Sequence, residues 1–396
     1  MPNAIVVCPT EYGGHIEHAA DTALALAQRP GINQVVLLSR PGAAEYLGCP
    51  GEPRLRIVET VPPRRPARVG RVASFLRAGL QILDLAREHA RIRRVTRLAD
   101  PHSVIVLDSS KYPWPDLLRG HRTQRIVLFV HNARPHFDAH EASLRQRVIL
   151  RLERSCMRKV DRIITHGSAQ QEIIQANTDI EVLSVHLPLS TRLDFSNASG
   201  GDEHGEAPQS SETDSPFALC VGELRSNKGI EQAIAASKAS RVPLRVHGRS
   251  EDPELGTELA RLAEGSKFST LDDRFLSRNE FNELLENAAV IVLPYLHFDA
   301  QSGVLSKAMN VGARVVASDL QALRDQADSY PAIVFGDVHN PEEFGALLRS
   351  AYDEAVRAGR HPSPQSLPLE HDGWDSIAEV LLKTDGHAVR YSPSKR

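Results

Sequence analysis

Residues 289–319, AVIVLPYLHFDAQSGVLSKAMNVGARVVASD, hold two short apolar runs on either side of a helical segment. The runs, Ala289–Tyr295 and Arg314–Asp319, are rich in β-branched residues and apolar on both faces, as buried parallel strands are. Apolar residues recur at helical spacing between 304 and 309, and Gly312 stands where a helix should end. The stretch therefore predicts a strand–helix–strand unit of a parallel sheet.

Similar apolar runs, separated by helical stretches, recur along the whole chain. In the first half the predicted strands are Ala4–Pro9, Gln34–Ser39, Leu55–Val61, Ser103–Asp108, Arg125–Asn132, Arg162–Gly167 and Glu181–Leu189. In the second half they are Phe217–Leu224, Leu244–Arg249, Ala289–Tyr295, Arg314–Asp319 and Ala332–Gly336. This alternation predicts an α/β protein with two doubly wound, Rossmann-like domains that face a cleft. Ligands of such sheets bind outside the carboxyl ends of the strands, so the cleft is the expected site.

The composition is that of a globular protein. The 396 residues suffice for two or three domains, and 41% of them are hydrophobic and 24% charged. We place an N-terminal domain at 1–191, a polar Gly/Ser-rich linker at 192–216, a second domain at 217–370 and a late helix at 371–388.

Several protein classes are disfavoured. The net charge of −3 gives no sign of a nucleic-acid partner. Four scattered cysteines without a CxxC pair argue against a zinc site or a disulfide framework and fit a reducing cytosol. The N-terminus lacks the features of a signal peptide, and no apolar run reaches 18 residues, so we expect a cytoplasmic protein without a membrane span.

Two turns between a strand and a helix favour the binding of an anion. Gly13 and Gly14 follow the first strand, and Ser302-Gly303 opens the helix of the quoted stretch, where amide groups and the helix dipole attract negative charge. A plain tight turn is the alternative for the glycine pair. The dinucleotide fingerprint GxGxxG does not occur there, which counts against a classical NAD site.

Charged and titratable residues border the same predicted cleft. Arg225 and Lys228 lie in a strand-to-helix turn of the second half, where cations suit a diphosphate, with two solvated charges on a loop as the alternative. Asp108 and His131 lie at strand carboxyl ends in the first half. His131 can bind a hydroxyl or transfer a proton near neutral pH, or it can be merely structural.

Several motifs resemble those of family 4 glycosyltransferases, which have the GT-B fold. The matching segments are Val221–Leu224 with Lys228-Gly229, Arg274–Ser277 with Glu280-Phe281, Pro294–Asp319, Val130–His136, Arg158–Gly167 and Trp374–Ala378. The resemblance extends over essentially the whole chain. It implies that the late helix packs back on the N-terminal domain.

The resemblance also implies a function. Family 4 enzymes transfer a sugar from a nucleotide-diphosphate donor, here UDP- or GDP-linked, with retention at the anomeric carbon. They need no metal and no cofactor beyond that co-substrate. We expect a glycan or lipid-linked acceptor, as in the biosynthesis of cell-surface polysaccharide or glycolipid.

Site residues are assigned on this resemblance and on their places at strand and helix ends. The catalytic group comprises His131, Asp299 and Lys228. The donor diphosphate is expected at Arg225, Lys228, Gln301, Ser302, Gly303 and Gly14, and the nucleotide at Gly222, Gly248, Arg249, Arg274, Phe275, Leu276 and Lys307. The acceptor side comprises His15, Asp108 and Arg134.

Two positions depart from the family pattern. The family commonly has two glutamates with seven residues between them, whereas this chain has Asp299 and Lys307. Glu223 stands where a basic residue is usual, and Arg225 follows two residues later. A non-catalytic protein that binds a nucleotide sugar or glycan is therefore an alternative. Another two-domain enzyme, such as an epimerase or a dehydrogenase, is a third possibility.

Two segments of the first half are strongly basic. They span Arg64–Arg97 and Arg145–Arg162, and apolar residues interleave with the cations. Such stretches can hold an anionic bilayer at about 1 kcal/mol per cation. We therefore expect peripheral docking to a membrane, with ordinary solvated helix faces as the alternative.

Overall fold

The structure of the protein is a computed structural model that describes residues 1–48, 51–61, 73–132, 144–188, 215–250, 252–328, 330–358 and 373–383. Among the predicted features, Arg134, residues 192–214 of the linker and residues 64–72 of the first basic segment lie outside these ranges.

The first half forms one parallel sheet of seven strands, in the order β3-β2-β1-β4-β5-β6-β7. These strands are β1 (Ala4–Val7), β2 (Val35–Ser39), β3 (Leu55–Glu59), β4 (Val104–Leu107), β5 (Arg125–Val130), β6 (Arg162–His166) and β7 (Val182–Val185). The five inner strands are buried along nearly their whole length, which explains why they read as continuous apolar runs.

The second half forms a parallel sheet of six strands, in the order β10-β9-β8-β11-β12-β13. These strands are β8 (Ala218–Val221), β9 (Leu244–His247), β10 (Ser269–Asp272), β11 (Val290–Leu293), β12 (Val315–Ser318) and β13 (Ile333–Gly336). Strand β10 is missing from the predicted set. It lies at the sheet edge and is mostly polar, so it carries no apolar run.

Helices cover both faces of each sheet and bury the apolar residues of the strands in separate cores. Those of the first half are α1 (Gly14–Gln28), α2 (Ala43–Leu47), α3 (Ala73–Arg97), α4 (Leu144–Met157) and α5 (Ser168–Gln175). Those of the second half are α6 (Ile230–Ser240), α7 (Pro253–Glu264), α8 (Arg278–Asn287), α9 (Gly303–Asn310), α10 (Gln321–Ala327) and α11 (Pro341–Ala358). The predicted fold class of two Rossmann-like sheets is confirmed.

One further helix, α12 (Gly373–Leu382), follows the second sheet in sequence but packs on the first. Its residues Trp374, Ile377 and Leu381 are buried in the core beside α1. Arg125 donates from its guanidinium to the carbonyl oxygens of Leu382 and Lys383, at 3.1 and 2.6 Å. The chain thus crosses from the second half back to the first.

The turn before α6 requires a glycine. Gly229 has a φ of 63°, and a methyl group there would overlap the carbonyl oxygen of Pro294. This close approach holds the turn that carries Lys228 against the end of β11. Within the part of the chain that the structure describes, no helix is both long and apolar enough to cross a membrane.

Candidate functional site

The carboxyl ends of the two sheets face each other. Lys307 Nζ on α9 lies 2.7 Å from Glu17 Oε2 on α1. The backbone N–H of Leu187 donates to Gln301 Oε1 at 2.5 Å, and the Tyr12 and Phe275 rings lie 4.5 Å apart. The strand ends of both sheets therefore border one shared space, as the sequence predicts.

Lys228 and the start of α9 converge on Gly222. The side chain of Lys228 lies across the Tyr295 ring, with Nζ 5.4 Å from the ring centroid. A methyl group at Gly222 would lie 3.5 Å from Lys228 Nζ and 3.6 Å from Val304 Cγ2. The absence of a side chain at Gly222, which has a φ of 114°, thus leaves room beside an ammonium group and a helix N-terminus.

Ser302 caps α9 with its hydroxyl, which accepts from Leu305 N at 3.3 Å and lies 3.0 Å from the Tyr295 hydroxyl. The Gln326 amide holds the Ser302 backbone through two hydrogen bonds, of 2.5 and 2.8 Å. Gly303 has no heavy atom within 4 Å of where a side chain would begin. The cap confirms the predicted helix start, and the space at Gly303 lets a ligand approach the first turn.

Arg225 turns toward its own loop. Its Nη2 lies 2.5 Å from Glu223 Oε2. Glu223, which stands where the similar family usually has a basic residue, therefore partly neutralises the charge of Arg225. Gly14, also assigned to the diphosphate, is exposed, with open space around it at the start of α1. Of the predicted cations at this turn, Lys228 is the one placed beside Gly222.

Of the predicted nucleotide-binding residues, some lie beside Gly222 or the opposite half, and others lie in the core or on the surface. Gly248 packs so closely on Gly222 that a methyl group there would overlap the Gly222 carbonyl oxygen. Phe275 is 40% exposed and contacts Tyr12 across the cleft. The others are differently placed: Leu276 is in the core, Arg249 is exposed, and Arg274 pairs with Asp272 and Glu280 at 2.9 and 2.7 Å.

Lys307 belongs to a charged cluster between the halves. Glu17 accepts from the Tyr46 hydroxyl at 2.7 Å as well as from Lys307, and the Lys307 ammonium lies 4.8 Å from the centroid of Phe281. Burial raises the pKa of Glu17, but Lys307 and the Tyr46 hydroxyl outweigh it, so the pKa lies below its ordinary value. Lys307, which stands where the similar family usually has a glutamate, therefore has a carboxylate partner on the opposite half.

Asp299 and Gln301 lie in the loop between β11 and α9. Asp299 is half-buried beside Phe298, whose ring packs 4.9 Å from Tyr295. Gln301 reaches the first half, where it lies near Gly167 and accepts from Leu187. This loop therefore borders both halves of the cleft.

Asp108 lies at the centre of a cluster of histidines in the first half. Its Oδ1 accepts from His18 Nδ1 at 3.0 Å and His131 Nε2 at 2.8 Å, and its Oδ2 lies 3.6 Å from His15 Nδ1. Asp108 is buried. Burial raises its pKa, but the histidines outweigh that effect and hold the pKa well below its ordinary value. The structure therefore brings together three predicted residues, His15, Asp108 and His131.

Two histidines of this cluster are missing from the predicted site. His18 lies one turn after His15 on α1, and His166 ends β6 as His131 follows β5. Their Nε2 atoms are 3.0 Å apart, and His166 Nδ1 lies 3.2 Å from the Val185 carbonyl oxygen. Burial lowers the pKa of both imidazoles. Two signals could have found His166, namely its place at the end of a predicted strand and its place within the matching segment Arg158–Gly167.

Comparison with known proteins agrees with this architecture. Residues 215–354 match the family described as glycosyl transferases group 1. A comparison with curated protein sequences found no match.

Solved structures of similar fold cover nearly the whole chain. Anabaena Alr3699/HepE in complex with UDP and glucose is 12% identical, with 96% of this chain and 95% of that chain covered and a TM-score of 0.61. Sucrose-phosphate synthase of Thermosynechococcus elongatus is 16% identical, with 96% and 94% covered and a TM-score of 0.61. The UDP-forming α,α-trehalose-phosphate synthase of Burkholderia vietnamiensis is 12% identical, with 96% and 99% covered and a TM-score of 0.61. The chain therefore has the GT-B fold.

Proposed function

We propose that the protein is a glycosyltransferase that uses a nucleotide-diphosphate sugar as donor, with UDP as the first nucleotide to test. The observation that carries this proposal is the convergence of Lys228 and the α9 N-terminus on Gly222. The family match covers these residues, and Anabaena Alr3699/HepE, which has the same fold, binds UDP and glucose. UDP and GDP are the two expected nucleotides.

In the proposed sugar transfer, negative charge develops on the leaving diphosphate. The bond between the anomeric carbon and the diphosphate oxygen breaks, the acceptor oxygen bonds to that carbon, and the acceptor proton passes to the departing diphosphate. Lys228 and the amides of the α9 first turn would stabilise the charge that grows on the diphosphate. We propose retention of configuration, on the resemblance to family 4 enzymes.

The other half would hold sugar and acceptor. His131 donates from Nε2 to Asp108, which fixes the ring at the border of the cleft, where it would contact the sugar or the acceptor. Asp299, on the loop that borders both halves, would accept from hydroxyls of the donor sugar. We propose a glycan or a lipid-linked acceptor, as in the assembly of cell-surface polysaccharide or glycolipid.

A lipid-linked acceptor would place the protein on the cytoplasmic face of a membrane. Helix α4 supports such docking, because Arg147, Arg151, Arg154 and Arg158 form one exposed stripe along and just beyond it. Val148 beside this stripe is 46% exposed. The stripe supplies the cations, and the apolar side chain could enter the headgroup region.

Calorimetric titration with UDP, GDP and UDP-glucose tests the donor site. We expect Lys228→Met to weaken the binding of the preferred diphosphate at least about 10-fold, which corresponds to about 1.4 kcal/mol. Lys238→Met, an exposed lysine on α6, is the matched control and should bind as the original protein does. Equal affinity in both variants would overturn the proposed site.

Donor hydrolysis by the same samples separates catalysis from binding. Release of free sugar from UDP-glucose or GDP-linked sugars by the original protein supports a transferase. Tight binding with no turnover of either donor favours the alternative of a non-catalytic nucleotide-sugar or glycan-binding protein.

Vesicle flotation tests the docking. We expect binding to vesicles that contain an anionic lipid, little binding to neutral vesicles, and a loss in the Arg147→Glu/Arg151→Glu variant. Equal, negligible flotation with both lipids would refute the membrane proposal and leave the donor site unaffected.

A further inference from the structure

Three histidines of the first half, two of them buried and one half-buried, lie close together. His18, His131 and His166 each offer a ring nitrogen, and these three atoms lie within 4.8 Å of one another. The three residues come from α1, the carboxyl end of β5 and the end of β6. Since the strand order places β1, β4, β5 and β6 side by side, the topology brings these distant residues to one point.

In His18 and His166, the hydrogen-bond partner of Nδ1 determines whether Nε2 carries a proton or a lone pair. His166 Nδ1 faces a carbonyl oxygen and His18 Nδ1 faces the Asp108 carboxylate, and both of these groups accept hydrogen bonds. Each Nδ1 therefore carries the proton, and a neutral ring has its lone pair on Nε2. The two Nε2 atoms, which lie 3.0 Å apart, then both present lone pairs, and a cation bound by both nitrogens, either a proton or a metal ion, removes their repulsion.

This is also how metal-binding histidines are held. Such a histidine donates its second N–H to a carboxylate or a backbone carbonyl, which fixes the tautomer and aims the other nitrogen at the ion. His18 and His166 have one such partner each, namely Asp108 and the Val185 carbonyl. Two nitrogens on one tetrahedral ion lie about 3.3 Å apart. The two rings would have to separate by only a few tenths of an ångström.

We propose that His18, His131 and His166 bind a transition-metal ion of the zinc type. Three imidazoles suit Zn²⁺, Cu²⁺ or Ni²⁺ rather than Mg²⁺ or Ca²⁺, which prefer oxygen ligands. The buried carboxylate of Asp108 supplies a compensating negative charge at the site. The ion would join α1 to the ends of β5 and β6 and fix His131 at the edge of the cleft.

A second group of possible ligands, His15, Asp108 and His131, is less suited to this role. Asp108 already accepts from two imidazoles through Oδ1, and the His15 side chain is 48% exposed. This exposure, together with the partial exposure of His131, gives an ion a way in from the cleft. Asp108 therefore acts as the carboxylate that orients the ligands.

Calorimetric titration of ZnCl₂ into chelator-treated, tag-free full-length protein tests this site. We expect one tight site per chain and none for MgCl₂. His166→Gln should weaken zinc binding by more than about 100-fold, and Asp108→Asn by about 10- to 100-fold. His339→Gln replaces an exposed imidazole of the second half and should leave the titration unchanged. Equal zinc binding by the original protein and His166→Gln would overturn the proposal.

Two further measurements distinguish loss of the metal site from loss of the fold. The His131→Gln variant removes a half-buried ligand rather than a core residue, and it should show the same loss of affinity. Co²⁺ added to the original protein should give the visible absorption of a nitrogen-coordinated ion. No Co²⁺ spectrum and no tight zinc site would mean that a shared proton joins His18 to His166. The outcome is independent of donor binding, so the metal proposal and the transferase proposal can fail separately.

Discussion

Lys307 and Glu17 form an ion pair between the two halves of the protein, in which Nζ and Oε2 are 2.7 Å apart. The carboxylate side chain is only 9% exposed and the lysine 30%. A glutamate at 307, the residue usual in the similar family, would place two carboxylates together. The lysine at 307 and the glutamate at 17 therefore form a matched pair.

Loss of the Lys307 charge should weaken the contact between the halves. We expect Lys307→Met to destabilise the protein by about 1–3 kcal/mol, because it leaves the buried Glu17 carboxylate without its charged partner. Lys307→Glu should cost more, and the swapped pair Glu17→Lys/Lys307→Glu should recover part of the loss. Thermal unfolding measures this, with Lys238→Met as the control. Equal melting temperatures for Lys307→Glu and the control would contradict the pairing.

A side chain at Gly229 should disrupt the turn that carries Lys228. Gly229→Ala places a methyl group against the Pro294 carbonyl oxygen at a φ of 63°. We expect a loss of about 1–3 kcal/mol from the backbone strain alone, and weaker UDP binding as the turn shifts. Gly51→Ala is the control, since Gly51 has open space around it and no positive φ. An unchanged melting temperature for Gly229→Ala would show that the turn can relax.

Shortening one side chain of α12 should destabilise the first half. Ile377 is fully buried in the core beside α1, so Ile377→Ala should cost about 2–5 kcal/mol. Glu379→Ala on the same helix removes only an exposed partner of Arg29 and should cost less than about 1 kcal/mol. Urea unfolding of both variants measures the difference. If the two variants unfold alike, α12 contributes little to this core.

The start of α8 should give an acid-dependent contribution to stability. Ser277 and Glu280 form a capping box, and hydrogen bonds from Ser277 and Arg274 lower the pKa of Glu280 to about 2. Because the folded pKa is below the unfolded one, near 4.5, this stabilisation is complete above pH 4.5 and lost as the pH falls toward 2.

The matched variant is Glu280→Gln, which keeps the shape of the side chain and removes its charge. We expect it to be less stable than the original protein at pH 7, by well under 1 kcal/mol because the group is exposed. That difference should shrink between pH 5 and pH 3 in thermal unfolding. A difference that stays constant over this range would exclude a role for the charge.

Local sequence determined most of the fold. Buried parallel strands are apolar on both faces, so runs such as Ala289–Tyr295 are recognised without knowledge of their neighbours. Strand β10 was not predicted, because an edge strand that pairs with one neighbour needs no continuous apolar run. The start of α9 was also predictable, since Ser302 caps the helix through its own side chain.

The site was predictable only in part. Lys228 and Ser302 lie at strand-to-helix turns, and the sequence shows such turns directly. Glu17 could not be assigned, because its partner Lys307 lies 290 residues away on the other half. His18 and His166 are likewise brought together only by the order of the strands.

The position of α12 has a consequence for how the chain is made. The apolar side of α1 is not fully covered until Trp374, Ile377 and Leu381 reach it. A ribosome synthesises these residues after the entire second sheet. The first half therefore stays incompletely packed until its neighbour has been translated.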